Sequence, residues 1–149
     1  FAAPGLRLGY AVTGNGELLT EIRTKKNPWT INSLAAIAGE IMFRDTDYIN
    51  ETRALISRER KRMADALSSI PGAPAYKPYP AHANFVLVRI LKEDLTSGFL
   101  FDTAIREKMM IRDCSTFPYL SEKYIRFCVM SPEMNDKLLD CLIAAAKKR

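Results

Sequence analysis

The sequence predicts an α/β fold divided by one long helix, and three observations carry that expectation. Short apolar runs at residues 8–12, 82–90, 109–112 and 124–130 have the length and the bounding turn residues of strands. Between and after them, apolar residues recur at helical spacing. One such stripe, from Ile49 through Leu55, Ile56, Met63 and Leu67 to Ile70, runs much further than the others and marks a single long helix.

Taken in order, Pro4-Gly5 turns the chain, and the small and apolar residues 8–12 read as a buried strand. Gly14-Asn15-Gly16 is a turn, after which Leu18, Leu19 and Ile22 give helical spacing over 17–26. Asn27-Pro28-Trp29-Thr30 breaks that helix. Thr30 or Asn32 caps the next, over 34–43, which is apolar on nearly every face and is expected to be buried. Asp45 or Asp47 caps the long helix, and Pro71-Gly72 ends it. Residues 73–80, rich in Pro and Tyr, are not regular helix. A strand over 82–90 follows, then a helix from Thr96 or Ser97 to Lys108, then a short strand at 109–112. In the strand at 124–130, Arg126, Cys128 and Met130 share one face and Ile125, Phe127 and Val129 the other. Ser131-Pro132 supplies a cap and a first-turn proline for a final helix through Met134, Leu138, Leu142 and Ala145.

The 149 residues, 48% of them hydrophobic, are enough for a real core in a globular, soluble chain. No run approaches the roughly 20 apolar residues that cross a bilayer, and the first residues resemble neither a signal nor a transit peptide, so a cytoplasmic location is expected. Cys114, Cys128 and Cys141 form no close pair and lie among apolar neighbours, which points to buried thiols in a reducing compartment and not to disulfides or a metal site. The net charge of +5 comes partly from Arg58-Glu59-Arg60-Lys61-Arg62 and from Lys147-Lys148-Arg149, which read as a solvated helix face and a tail. Basic and aromatic residues are not interleaved as a nucleic-acid strand requires, so neither nucleic acid nor membrane is an expected partner.

Two places have the residue types for anion chemistry. Arg7 follows Pro-Gly on a Gly-flanked loop, where a permanently charged planar fork of donors suits a phosphate; the plain alternative is a surface salt bridge. Arg112 and Arg126 lie on two short strands joined by an irregular loop, so one anionic site could receive both, although a lone arginine more often pairs with a surface carboxylate. His82, the only histidine, reads as a surface loop residue, Cys114 as small packing, and Trp29 as packing at a subunit or domain boundary.

The opening run Phe1-Ala2-Ala3-Pro4-Gly5-Leu6-Arg7-Leu8-Gly9-Tyr10-Ala11-Val12 resembles the segment after the cofactor lysine in pyridoxal-phosphate enzymes of the aminotransferase superfamily. In those enzymes an aromatic, small residues and then Gly-x-Arg-x-Gly-Tyr follow the lysine. Pro28-Trp29-Thr30-Ile31-Asn32-Ser33-Leu34-Ala35 and the region from Ile111 to Phe127 resemble the same superfamily, closest to its branch of threonine-phosphate decarboxylases and histidinol-phosphate aminotransferases. Arg112-x-Cys114 with Phe117-Pro118-x-Leu120 is nearer to the decarboxylases.

The resemblance implies the end of a fold type I large domain in residues 1–45, joined by the long helix to a small α/β C-terminal domain, 46–149 in all. It implies pyridoxal 5'-phosphate as cofactor, held by Arg7, with the catalytic lysine two residues before Phe1. It implies a substrate anion on Arg126, substrate phosphate on Arg112, and a substrate contact from Asn84, which as a plain residue is equally a strand-end cap. Arg126 is expected to face the cleft between domains. The substrate is a small anionic amino-acid phosphate and the enzyme a homodimer, with 27–32 and Trp29 on the shared surface. The reaction implied is decarboxylation of L-threonine O-3-phosphate, as in cobalamin biosynthesis, with transamination of histidinol phosphate or a related amino acid as the alternative. A non-catalytic binding or dimerisation fragment is the alternative of another class.

Overall fold

The computed structural model describes residues 1, 3–72 and 74–147. The chain divides into two compact units, Phe1–Asn50 and Glu51–Arg149. Lys148 and Arg149, read from sequence as part of a charged tail, lie outside the described residues.

The first unit is built from helices that local signals start and stop. After one 3-10 turn at Pro4–Leu6, α1 spans Gly16–Lys25 and α2 spans Ser33–Arg44. Asn15 accepts the Leu18 N–H at 3.0 Å, and Asn32, not Thr30, accepts the Ala35 N–H at 2.8 Å. Each cap satisfies a backbone donor that the helix itself cannot. Asp45 does the same for Tyr48 at 3.0 Å, where α3, Thr46–Ser68, begins.

Two expectations fail here. Residues 8–12 are not a strand, and Tyr10 and Val12 are 80% and 88% exposed. A strand exists only through hydrogen bonds to a neighbour, and no strand of this unit is present among the described residues to supply them. Nor is α2 buried: Leu34, Ile37, Ile41 and Phe43 are exposed, and only Ala35 and Gly39 are covered. At Gly39 the Leu8 side chain packs so near the helix that an added Cβ would collide with it.

The second unit is a two-layer α/β structure. Its antiparallel sheet has the order β1-β2-β4-β3, with β1 at Tyr76–Pro78, β2 at Phe85–Ile90, β3 at Arg112–Asp113 and β4 at Tyr124–Cys128. Val86, Val88, Ile90, Ile125 and Phe127 point to one face, where they form a single core with Met63 and Leu67 of α3, Leu100 and Ala104 of α4 (Ser97–Arg106), and Leu138, Leu139 and Leu142 of α5 (Pro132–Lys147). The alternation predicted for β4 therefore holds, with Arg126 and Cys128 on the face that the helices leave open.

Strand β1 lies in the Pro- and Tyr-rich stretch that the sequence excludes from regular helix. Its register sets Tyr76 against Ile90 and Pro78 against Val88, and Pro78 is tolerated because β1 is an edge strand. Tyr76 is 2% exposed and donates its hydroxyl hydrogen to the Leu142 carbonyl at 2.9 Å, tying the edge to α5. The predicted strand at 109–112 moves to 112–113, because pairing with β4 begins only where Arg112 stands opposite Arg126.

The basic run on α3 is not wholly a solvated face. Glu59 is 3% exposed and accepts hydrogen bonds from Arg62 Nη2 at 2.7 Å and Asn135 Nδ2 at 3.0 Å. Those donors hold its carboxyl below the usual range against the opposing effect of burial. Asn135 also brackets Met130, donating to its carbonyl and accepting from its N–H, both at 2.9 Å, so the turn after β4 is pinned to α3. The thiols differ as well: Cys114 is buried and Cys141 half-buried, whereas Cys128 lies on the open sheet face and is exposed.

Candidate functional site

Strands β3 and β4 place Arg112 directly opposite Arg126. Side chains so placed have Cβ atoms about 5 Å apart, and like charges there repel. Neither guanidinium has an ion pair among the described residues. What surrounds them is aromatic. Arg126 lies 4.7 Å from the centre of the Phe85 ring and 5.9 Å from that of Phe117, and Arg112 lies 5.1 Å from Phe117. Both arginines open on a cleft of about 550 Å³ with Thr116 and Cys128. Two cations held together with neither drawn into an ion pair can each offer a planar fork of donors to one anion or to two.

Asp113 is next to this pair in sequence and lines the same cleft, with one of its two carboxylate oxygens committed elsewhere. Its Oδ1 accepts the Ser115 N–H at 2.8 Å and the Ser97 hydroxyl at 2.7 Å. The Ser115 contact is the main reason its carboxyl stays below the usual range. The ionised side chain thereby fixes the start of the 114–121 loop to the first turn of α4. Within that loop Phe117 donates its N–H to the Cys114 carbonyl at 3.0 Å, and Leu120 donates to the Phe117 carbonyl at 3.2 Å. Burial pushes the Cys114 thiol up despite the nearby arginines, in keeping with its reading as packing.

Asn84 does not join the arginine pair. It precedes β2, its carbonyl accepts the Val129 N–H at 2.8 Å, and its exposed carboxamide makes no hydrogen bond among the described residues. Arg60 donates to the Ala83 carbonyl at 2.8 Å and steadies this approach. His82 is exposed in the same loop.

Arg7, in the first unit, is exposed and takes the left-handed backbone conformation at φ 55°. A side-chain-bearing residue occupies that region at a cost, and such outliers gather at ligand sites. Its guanidinium spends one N–H on the Pro4 carbonyl at 3.3 Å. The remaining donors face outward from a Gly-flanked loop, a set that suits a phosphate group. Among the described residues no helix is long and apolar enough to cross a membrane, and no cluster of His, Cys, Asp or Glu could hold a metal ion.

Sequence reading gave no role to Phe85 or Phe117, although both stand in quoted runs. An aromatic in the loop between two functional arginines was the available signal. Nothing local marked the open sheet face on which Lys77 lies opposite Arg89 and Tyr124 stacks with Tyr79 at 6.4 Å.

The family model for aminotransferases of class I and II matches residues 1–142. The chain is 33% identical over 142 residues to the threonine-phosphate decarboxylase of Salmonella typhimurium, covering 95% of this chain and 37% of that protein. It is 36% identical to the histidinol-phosphate aminotransferase of a Thermoanaerobacter species, covering 95% and 38%. Among solved structures, the histidinol-phosphate aminotransferase of Clostridium acetobutylicum matches all of this chain and 43% of its own at 36% identity and a TM-score of 0.87. The L-threonine-O-3-phosphate decarboxylase of Porphyromonas gingivalis matches 96% of this chain and 43% of its own at 25% identity and a TM-score of 0.75. The chain thus spans about two-fifths of the length of the relatives it matches.

Proposed function

The chain belongs to the aminotransferase family of class I and II, whose members depend on pyridoxal phosphate, and we propose that the complete enzyme decarboxylates L-threonine O-3-phosphate to aminopropanol phosphate. The observation that carries the reading is the Arg112–Arg126 pair, two guanidiniums opposite each other with neither in an ion pair among the described residues. A phosphorylated amino acid brings two anionic groups to such a site. Arg126 takes one and Arg112 helps hold the phosphate, with Asn84 a further contact at the head of β2. Arg7 holds the phosphate of the cofactor, whose lysine stands two residues before Phe1 in the complete chain.

Bound pyridoxal phosphate supplies the electron sink for bond breaking at the substrate Cα. The arginines would decide which bond at Cα is presented to it: with the carboxylate and phosphate gripped by Arg126 and Arg112, the bond to the carboxylate would be presented and carbon dioxide lost, a proton replacing it, whereas a grip that presents the Cα–H bond would lead to transamination.

Histidinol-phosphate transamination is the second reading, favoured by the TM-score of 0.87 to an enzyme of that name. In either case residues 1–45 close the large domain and 46–149 form the connecting helix and small C-terminal domain. The enzyme is a cytoplasmic homodimer, with the 96%-exposed Trp29 on the shared surface.

The test supplies the complete enzyme with threonine phosphate, and separately with histidinol phosphate and 2-oxoglutarate. Carbon dioxide from the first supports decarboxylation. Glutamate from the second, with no gas from the first, assigns the chain to the aminotransferases. Arg126→Lys, which keeps the charge but loses the two-point grip, should slow whichever reaction is found.

A further inference from the structure

We propose that Phe117 is the positioning residue for the substrate-phosphate site, its ring serving as the common surface that holds Arg112 and Arg126 in place before any anion arrives. The inference rests on the reading above that these arginines bind the substrate. Two guanidiniums opposite each other across a strand pair repel, and no ion pair among the described residues holds either one. The electron-rich face of an aromatic ring attracts both without neutralising either. Phe117 stands 5.1 Å from the Arg112 guanidinium and 5.9 Å from that of Arg126.

The other ring at the site, Phe85, touches only Arg126, at 4.7 Å. Phe117 alone is therefore common to the pair. A carboxylate in its position would also hold the arginines, but it would compete with the ligand for their donors; a ring leaves the N–H groups in the guanidinium plane unspent.

The backbone that carries the ring is itself held. The Cys114 carbonyl accepts the Phe117 N–H, Cys114 donates its own N–H to the Tyr124 carbonyl of β4 at 3.1 Å, and Asp113 locks the loop to Ser97 and Ser115. A ring with only two rotatable bonds on a pinned backbone sets the spacing of two long flexible side chains at little entropic cost. Phosphate then meets donors already in place.

The test uses the complete pyridoxal-phosphate enzyme and inorganic phosphate as competitor of its phosphorylated substrate. Phe117→Leu and Phe117→Met remove the π face at similar volume, and Phe117→Tyr keeps it. The two aliphatic variants should raise the inhibition constant for phosphate roughly three- to thirty-fold, the range that one to two cation–π contacts supply, while the Tyr variant stays near wild type. Cofactor retention at the wild-type level reports an intact fold. An unchanged inhibition constant in folded aliphatic variants, or a Tyr variant as impaired as they are, overturns the inference. Failure of both aliphatic variants to fold also overturns it, because the ring is then part of the core. If phosphate does not compete in the wild-type enzyme, the reading of the arginine pair itself fails, a result separable from any effect of Phe117.

Discussion

Replacing Glu59 by Gln keeps the shape of a 97%-buried side chain and removes its charge, and the structure lets the cost be worked out. The carboxylate accepts from Arg62 Nε and Nη2, at 3.2 and 2.7 Å, and from Asn135 Nδ2 at 3.0 Å. A carboxamide offers one acceptor where there were two and turns its NH2 toward donors. A hydrogen bond to a charged group contributes about 1.5–3 kcal/mol. The Arg62 share belongs at the low end, because that side chain is 40% exposed and keeps Asp136 at 2.6 Å. The Gln oxygen keeps one of these contacts, so the net loss is about 2–3 kcal/mol, which in a complete enzyme of the relatives' length lowers Tm by roughly 2–4 °C. The pH dependence fixes the cause. Glu59 titrates below its unfolded value of about 4.3, so the stability it contributes is full above that pH and is lost as pH falls through the folded value. The gap between wild type and Glu59→Gln should be constant from about pH 6 to 8 and close as pH falls below about 4. Thermal unfolding of the complete enzyme across that range is the assay. A Tm change under about 1 °C at pH 7, or a gap that persists unchanged into acid, would refute the reasoning.

Arg7→Ala in the complete enzyme should weaken pyridoxal-phosphate retention about ten- to hundred-fold, from loss of a charge-assisted contact; equal cofactor affinity by absorbance titration would remove Arg7 from the site. Tyr119 is fully exposed at φ 66°, a left-handed conformation that costs a side-chain-bearing residue about 1 kcal/mol, so Tyr119→Gly should raise or leave unchanged the denaturation midpoint, and a clear fall would show the side chain to be in use. Tyr76→Phe deletes one buried hydrogen bond, to Leu142, at a cost of about 0.5–1.5 kcal/mol; calorimetry showing no loss would mean that the hydroxyl contributes nothing to fastening β1.

What the sequence determined by itself was whatever a few neighbouring residues encode. The caps at Asn15, Asn32 and Thr96 start their helices because a side chain two or three positions ahead of a free N–H needs nothing else in the molecule. Alternation in Tyr124–Cys128 put Arg126 on the open face for the same local reason, the pleat. The family was legible because its motifs are contiguous strings around Arg7, Trp29 and Arg112. Pairing and covering were decided only by the tertiary structure. Residues 8–12 have the composition of a strand, but a ladder needs a second strand, and composition does not supply one. Glu59 looks like one charge among five, and its burial depends on Asn135, which is 76 residues away in the chain. Strand β1 forms because β2 offers it an edge, and Arg112 faces Arg126 because β3 and β4 pair in one register and not another. The aromatic surface beneath those arginines comes from Phe85 and Phe117, on separate segments that only the folded sheet brings together. Local signals act over one turn of helix or one pleat, whereas the anion site is made of contacts between strands.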